Sequence, residues 1–430
     1  MGSQLRLLFS RRLAGMFVAQ FLGALNDNLL KNALVIQVAY GRSESASDIE
    51  VIVTIATALF ILPYFLFSAT AGELADKFAK MQLIRSLKIW EIGVMILAAG
   101  GFLFGGGIGI GLTILFLLGI QAAFFGPVKY GILPELLTPE ELLPGNAVIE
   151  AGSFLAILIG TIAGGLLILM KDGPAIVSAT LLICAIGGWI ASLYIPRTEG
   201  GASDLRINPN IAAETWKVLR YANESVEMRW IILGNSWFWL VAVALVSQFP
   251  NYAKDVLGAD NQVVTLFLTL NSLGIGAGSL LAGRLLGGNI SLRLVPISAL
   301  AMALFATDLW LSDGRHIGSG LMSAHEFLTI AQNWRVSFDL TAIAIAAGVF
   351  IVPLYALMQA KSESQHRSRV VAANNVWNAL FMVGAGLGSA VMLKLGASVT
   401  DIFLVVGVSN LVVAIASWRL RKQRPIRQQQ

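Results

Sequence analysis

Cysteine is nearly absent from the sequence, since Cys184 is the only one in 430 residues. A single thiol cannot form an intramolecular disulfide or supply a cysteine cluster for a metal. Histidine is also scarce, and none of the three histidines has an aspartate five positions later, which excludes the H-x-x-x-x-D site of acyltransferases. No G-x-x-x-x-G-K-[ST] loop is present to bind ATP phosphates. We therefore expect no metal, no cofactor, no catalytic residue and no enzyme activity.

Charged residues are few as well, at 13% against 56% hydrophobic residues, and the mean hydropathy is +0.75. A chain with so little polar surface cannot enclose its apolar residues in one soluble core, so lipid must cover much of it. An apolar helix needs about 20 residues to cross the hydrocarbon layer, and runs of that length without strict alternation exclude a β-barrel. Twelve such runs lie near residues 13–39, 50–71, 82–104, 109–128, 146–170, 174–195, 229–253, 262–286, 292–312, 336–359, 370–394 and 398–418.

Basic residues concentrate on one side of the predicted membrane. With both termini in the cytoplasm, 23 of the 30 lysines and arginines fall in cytoplasmic segments and 6 on the opposite side. This distribution follows the positive-inside rule. It predicts an all-α membrane protein with twelve transmembrane helices and both termini cytoplasmic. The net charge of +5 is then explained by topology and by contact with anionic membrane lipids, so no nucleic-acid partner is expected.

The longest polar stretch divides the predicted spans six and six. We expect an N-terminal six-helix bundle at residues 1–195, a cytoplasmic linker at 196–228, a C-terminal six-helix bundle at 229–420 and a basic cytoplasmic tail at 421–430. The linker begins with proline, glycine and serine and is predicted to end in a surface helix over 212–227.

The two predicted bundles share short motifs in spans five and eleven. The matching pairs are Asn146 with Asn374, Glu150 with Asn378, Gly160 with Gly384 and Gly164 with Gly388. They favour, without requiring, two parallel repeats of six helices, as found in many carriers. The glycine pairs are typical of closely packed membrane helices.

The first span contains an unusual strip of polar and charged residues. Asp27 and Lys31 lie one helical turn apart, and Asn28 and Asn32 form a second polar pair beside them. A charge at mid-bilayer costs at least about 2.5 kcal/mol, so the strip is expected to face the protein interior or a wet cavity. We predict that Asp27, Asn28 and Lys31 bind substrate; the alternative is a structural ion pair between Asp27 and Lys31.

Further candidates for the substrate path are Lys129, Glu150, Asn374 and Asn378. Lys129 ends the fourth span, where it can receive a phosphate, pair with Asp27 or Glu150, or simply extend to the membrane surface. Glu91 in span three is expected to pair with Lys88 near the interface and is not assigned to the site.

The segment after span two carries a recognisable spacing. Gly72 is followed by Asp76, Lys77 and Lys80, which resembles the signature loop of the major facilitator superfamily. The glycine is expected to permit a tight turn, and the charges to latch the cytoplasmic side against the opposite half. The corresponding segment 283–288 keeps the glycine and lacks the acid. The alternative is an ordinary short basic loop.

Three segments also resemble the bacterial lysophospholipid transporter family: QFLGALNDNLLKNALV in span one, GPVKYGILPELL after span four and GNSWFW in span seven. The resemblance implies a major facilitator fold that moves lysophospholipids, chiefly lysophosphatidylethanolamine, to the cytoplasmic leaflet of the bacterial inner membrane for reacylation. It places Asp27 and Lys129 on the substrate path and makes a cytoplasmic-face acyltransferase an expected partner. Span seven lacks the arginine that stand-alone family members can carry, so the chain looks closer to carriers fused to an acyltransferase.

Two other functions remain open at the level of sequence. A proton-coupled exporter of drugs or small solutes would share the fold and the signature, although Gly164 is followed by Gly165 where antiporters normally have proline. A non-transporting scaffold for an acyltransferase is the second alternative, and the charges within the first span argue against it.

Overall fold

The computed structural model describes residues 2–41, 46–198, 201, 205, 207–312 and 320–420. Over these residues the chain is almost entirely helical, which confirms the predicted all-α class. Twelve long helices are labelled in chain order. They are α1 (Ala14–Gly41), α2 (Ala46–Lys77), α3 (Lys80–Leu103), α4 (Ile108–Leu136), α5 (Pro139–Ile168), α6 (Gly173–Leu193), α7 (Val226–Val246), α8 (Asn261–Leu285), α9 (Val295–Leu311), α10 (Asn333–Lys361), α11 (Arg367–Lys394) and α12 (Val399–Leu420).

Eleven of these helices, α2 to α12, are long and apolar enough to cross a membrane, counted over the described residues. Helix α1 is 28 residues long but is not among these eleven described helices, because its amides, Asp27 and Lys31 interrupt the hydrophobic run. Many large apolar side chains on the spans are exposed, including Ile183 at 70% and Leu387 at 64%. Such surfaces are stable when lipid covers them.

Short helices accompany the spans. They are Gly2–Leu8, Ile211–Glu224, Phe249–Asn251 and Ala324–Thr329, and a π-helical turn at Tyr252–Val256 follows the third of them. The predicted linker helix is therefore present. It begins where the Asn210 carbonyl oxygen Oδ1 accepts the N–H of Ala213 at 3.0 Å, a side-chain cap that compensates the unpaired first turn.

The chain divides into two compact units. One comprises Met1–Gly145, Leu155–Trp230 and Met358–Ala379, and the other comprises Asn146–Phe154, Ile231–Leu357 and Leu380–Gln430. Both units therefore include parts of α5 and α11. The boundaries predicted from the sequence refer to two transmembrane bundles and not to these compact units. They stay a prediction.

Glycines hold α1 close to its neighbours in the first unit. A Cβ atom at Gly160 or Gly164 of α5 would lie 2.3 Å from the carbonyl oxygen of Leu25 or Leu29, respectively. No side chain fits at that distance, so the pair lets the two backbones touch. Leu29 also belongs to a buried apolar cluster shared by α1, α3, α4, α5 and α6. This packing fixes the direction in which the polar strip of α1 points.

Candidate functional site

The charged residues of α1 do not neutralise each other by direct contact. Lys31 places its Nζ over the ring of Phe60, 4.3 Å from the centroid. Asp27 has a buried carboxylate oxygen, Oδ1, that accepts no hydrogen bond from any described residue. Among the ion pairs of the described residues, none joins Asp27 to Lys31. A buried carboxylate oxygen without a donor is costly in apolar surroundings, so Asp27 is the strongest candidate for a group completed by substrate.

The asparagines of the strip have different local roles. Asn28 donates its amide N–H to the Ala24 carbonyl at 2.7 Å, within its own helix. Asn32 donates to the Thr161 carbonyl of α5 at 2.5 Å and so adds a polar contact to the glycine packing. Asn28 remains a predicted substrate ligand, whereas Asn32 acts as a link between helices.

A buried polar network adjoins the strip, and the sequence interpretation did not assign it to the site. Lys88 and Glu91 of α3 form an ion pair of 2.7 Å and are both fully buried. Glu91 also accepts amide N–H groups from Asn26 of α1 and Gln121 of α4, each at 3.3 Å. The Lys88 ammonium lies 5.2 Å from the ring centroid of Phe125.

The pairing of Lys88 with Glu91 was expected, but its complete burial was not. Both side chains lie in the protein interior. A buried ion pair is stable only when further hydrogen bonds satisfy it, and here amides from two other helices do so. The sequence signal for this buried network was the presence of single amides, Asn26 and Gln121, in otherwise apolar stretches of their spans. Only the tertiary structure shows that they converge on one carboxylate.

Lys129 lies inside α4, two turns before the helix ends at Leu136, and is partly buried. Its Nζ is 4.2 Å from the ring centroid of Tyr130. One turn earlier, a Cβ at Gly126 would lie 2.6 Å from Nδ2 of Asn375, so α4 and α11 touch here. The structure therefore brings the helix of Lys129 against the asparagine-rich segment of α11.

The asparagines of α11 are buried. Neither side-chain atom of Asn374 has a hydrogen-bond partner among the described residues, and Nδ2 of Asn375 also lacks one. Asn378 is buried nearby at 7% exposure. An unsatisfied buried amide costs about 1–3 kcal/mol, which water or a ligand can recover. Glu150 is also buried, but it belongs to the second compact unit.

Asp76, the signature acid, is 1% exposed and accepts three hydrogen bonds at the start of α11. Oδ1 accepts the backbone N–H of Ser368 at 2.9 Å, and Oδ2 accepts the backbone N–H of Arg369 at 3.2 Å and its Nε–H at 3.0 Å. Ser368 and Arg369 are the second and third residues of α11. The carboxylate thus occupies the anion-binding end of a helix dipole and forms an ion pair as well. These contacts are called the latch below.

The other signature residues make different kinds of contact. Gly72 lies within α2 and not in a turn, so the expected reason for its presence was wrong; a Cβ there would lie 2.8 Å from Cβ of Ala372. Its role is close packing against α11. Lys80 is buried and pairs with Glu135 of α4 at 2.6 Å. Lys77 instead lies over the ring of Phe78, at 5.7 Å.

Arg369 is a latch residue that the sequence interpretation missed. Its guanidinium also donates to the Gln365 carbonyl at 3.0 Å and contacts Nδ1 of His366. The signal was a basic residue at the start of a span, which an acid in the signature segment requires as a partner. In the described residues no cluster of histidine, cysteine and acidic side chains could hold a metal ion.

A family model described as Major Facilitator Superfamily matches residues 16–314. The chain belongs to the Major Facilitator Superfamily. This membership agrees with the twelve long helices and with the signature spacing from Gly72 to Lys80. It also places the chain among carriers and not enzymes.

Solved superfamily structures have the same fold. The human organic anion transporter MFSD10 (TETRAN) superposes with a TM-score of 0.75 at 14% identity, covering 95% of this chain and 98% of that one. FucP in the outward conformation gives 0.70 at 15% identity, with 96% and 99% covered. At these identities the likeness establishes the fold alone.

Relatives of similar length carry a more specific name. The Lysophospholipid transporter LplT of Klebsiella pneumoniae (strain 342) is 29% identical over 417 residues, which cover 95% of this chain and 92% of that protein. The protein of the same name from Serratia proteamaculans (strain 568) is 29% identical over 405 residues, covering 90% and 88%. Bacterial superfamily relatives and the apolar helices make this chain a multi-pass inner-membrane protein.

Proposed function

We propose that this carrier transports lysophospholipids across the bacterial inner membrane. The observation that carries the proposal is its similarity, over almost its whole length, to proteins named lysophospholipid transporters. Helix α1 supports it independently, because Asp27 offers a buried carboxylate oxygen without a hydrogen-bond partner among the described residues.

The substrate we favour is lysophosphatidylethanolamine. Its head group carries an ammonium and a phosphate, so a binding site needs an acid and a base. Asp27 and Lys31 of α1 and Lys129 of α4 provide both signs of charge, with Asp27 assigned to the amine and Lys129 to the phosphate. The amides of Asn28, Asn374 and Asn378 add neutral hydrogen bonds, and Glu150 adds a second carboxylate. The acyl chain would lie towards lipid.

We further propose transport by alternating access, with the latch controlling one side of the substrate path. Asp76 must release three donors at the start of α11 before that side opens. Gly72 and Lys80 would hold the neighbouring helix ends in position. Lys77 would join the charged network when the latch opens. On the predicted cytoplasmic side, an acyltransferase would then reacylate the delivered lysophospholipid.

Reconstituted vesicles test the proposal directly. We expect the wild-type carrier to move labelled lysophosphatidylethanolamine, and Asp27→Asn or Lys129→Gln to lower the initial rate about 10- to 100-fold, the equivalent of one charge-assisted contact. Asp255→Asn and Lys171→Gln are matched controls, because both residues are exposed and lie outside the predicted site.

Three results would contradict it. Wild-type rates from correctly folded Asp27→Asn and Lys129→Gln proteins would refute the assigned site. Movement of a cationic dye without lysophospholipid would favour a drug carrier. Binding of an acyltransferase without movement of any substrate would favour a scaffold.

A further inference from the structure

A pocket that contains none of the proposed substrate residues opens beside α1 and α6. Its volume is about 930 Å³. Four arginines line it: Arg11, Arg12, Arg85 and Arg197. Arg11 and Arg12 precede α1, Arg85 lies near the start of α3, and Arg197 follows the end of α6. The pocket therefore lies at one end of these helices, on the side predicted to be cytoplasmic.

The positive charge in this pocket is largely uncompensated. Arg12 pairs with Glu141 at 2.7 Å, and across the described ranges no carboxylate pairs with the other three arginines. Arg85 donates instead to neutral backbone carbonyls at the end of α6, to Leu193 at 3.0 Å and to Ser192 at 3.5 Å. These contacts hold its guanidinium at the pocket. A net charge of about three remains for an anion to neutralise.

The other wall of the pocket is apolar and exposed. Val18 of α1 and Ile190 and Leu193 of α6 line it and are 41%, 45% and 44% exposed. The exposed stripe continues along α6 through Ile186 and Ile183 at helical spacing. A cationic end joined to an apolar stripe matches an amphipathic ligand better than a free anion.

The flanking aromatic residue fits the same position in a membrane. Tyr194, 71% exposed, lines the pocket immediately after α6. Tyrosine is enriched where the hydrocarbon layer meets the head groups, and basic pockets between spans on the cytoplasmic side bind lipid head groups. We therefore expect the pocket arginines at the depth of the lipid phosphates.

We propose that this pocket binds an anionic glycerophospholipid of the surrounding bilayer. Arg11, Arg85 and Arg197 would contact the phosphodiester, and one acyl chain would follow the apolar stripe of α6. A zwitterionic lipid would bind less tightly, because its ammonium would be repelled by the same arginines. The bound lipid would join α1, α3 and α6 and stabilise the unit that carries the polar strip. This site does not depend on which substrate is transported.

Native mass spectrometry of the full chain, with phosphatidylglycerol added in detergent, provides the test. The informative variant is Arg11→Gln/Arg197→Gln, because both arginines are exposed and neither forms an ion pair or a side-chain hydrogen bond with a described residue. At about 1 kcal/mol for each basic residue near a lipid surface, two charges correspond to about 25-fold weaker phosphatidylglycerol binding. Arg284→Gln/Arg293→Gln is the matched control, since it removes two exposed arginines from the same predicted side outside the pocket.

A second variant tests the acyl-chain wall. Ile190→Asn leaves every arginine in place and is expected to weaken phosphatidylglycerol binding without changing the retention of inorganic phosphate. Three results would overturn the proposal. The first is equal phosphatidylglycerol binding by the pocket variant and the wild type, and the second is an equal loss in the control variant. The third is displacement of bound phosphatidylglycerol by millimolar inorganic phosphate, because the site would then be a phosphate site.

Discussion

Motifs that occur in both sequence halves are used differently in the two. At the C-terminal end of α2, the spacing from Gly72 leads to Asp76, a buried acid with three donors from α11. At the C-terminal end of α8, the same spacing from Gly283 leads to Gly287, which lies beyond the helix in a turn and has a φ of +57°. The first segment is an electrostatic contact between distant parts of the chain, and the second is a local chain reversal.

The glycine pairs show the same contrast. Gly160 and Gly164 of α5 lie against the backbone of α1, whereas a Cβ at Gly384 or Gly388 of α11 would meet no described atom within 4 Å. A shared motif is therefore evidence of common origin or of helix propensity, but not of a shared contact. In both comparisons, the copy in the first half makes the close contacts, and it lies next to the polar strip or forms the latch.

Asp76→Ala is the change with the largest expected effect. It leaves the guanidinium of Arg369 buried without its acid, and breaking such a pair costs about 3–5 kcal/mol. Thermal unfolding in detergent measures the loss. Asp76→Asn should cost less, because the amide oxygen still accepts one N–H while the amide nitrogen opposes the other donors. An unfolding temperature unchanged in both variants would show that the latch contributes nothing to stability.

Gly164→Ala should have the next largest effect. The added methyl group would lie 2.3 Å from the Leu29 carbonyl, so α1 must move away from α5. Overpacking of this kind costs about 1–3 kcal/mol. Because α1 carries Asp27 and Lys31, lysophospholipid transport should fall with stability. Wild-type stability and transport together would show that the close approach of α1 and α5 is dispensable.

The fold and one side of the latch could be predicted from the sequence, because both depend on local patterns. The length of the hydrophobic runs predicted the spans, and the spacing around Asp76 predicted a charged latch. Its partner Arg369 lies 293 positions away, and no local pattern connects them. The spacing from Gly72 to Asp76 also fits one helical turn as well as a loop, so the helical state of Gly72 could not be predicted.

The buried network shows the same limit. Lys88 and Glu91 are close in sequence, and their pairing followed from helical spacing. Their depth depends on Asn26 and Gln121, which come from other helices, and a single amide in an apolar span has many possible partners. Predicting the network required knowledge of which faces of α1, α3 and α4 pack together.

Gly287→Ala tests whether the positive φ at this position requires glycine in the second copy of the signature. Alanine in the left-handed region costs about 1–2 kcal/mol, so a modest loss of thermal stability is expected. Transport should remain close to wild type, since no latch contact is altered. Gly287→Asn is the control, because asparagine tolerates this backbone conformation better. Equal stability of the alanine and asparagine variants would show that the positive φ is not what requires glycine.

Gly388→Ala should have the smallest effect and the opposite sign. The new methyl group meets no described atom within 4 Å, so only helix propensity changes. Replacing glycine by alanine inside a helix is favourable by about 0.8–1 kcal/mol, and the unfolding temperature should rise slightly. Gly164→Ala is the matched comparison, since the same substitution at the corresponding glycine in α5 should destabilise. If Gly388→Ala also lowered stability or transport, α11 would make a close contact there in another state of the carrier, and the contrast between the two glycine pairs would belong to one conformation only.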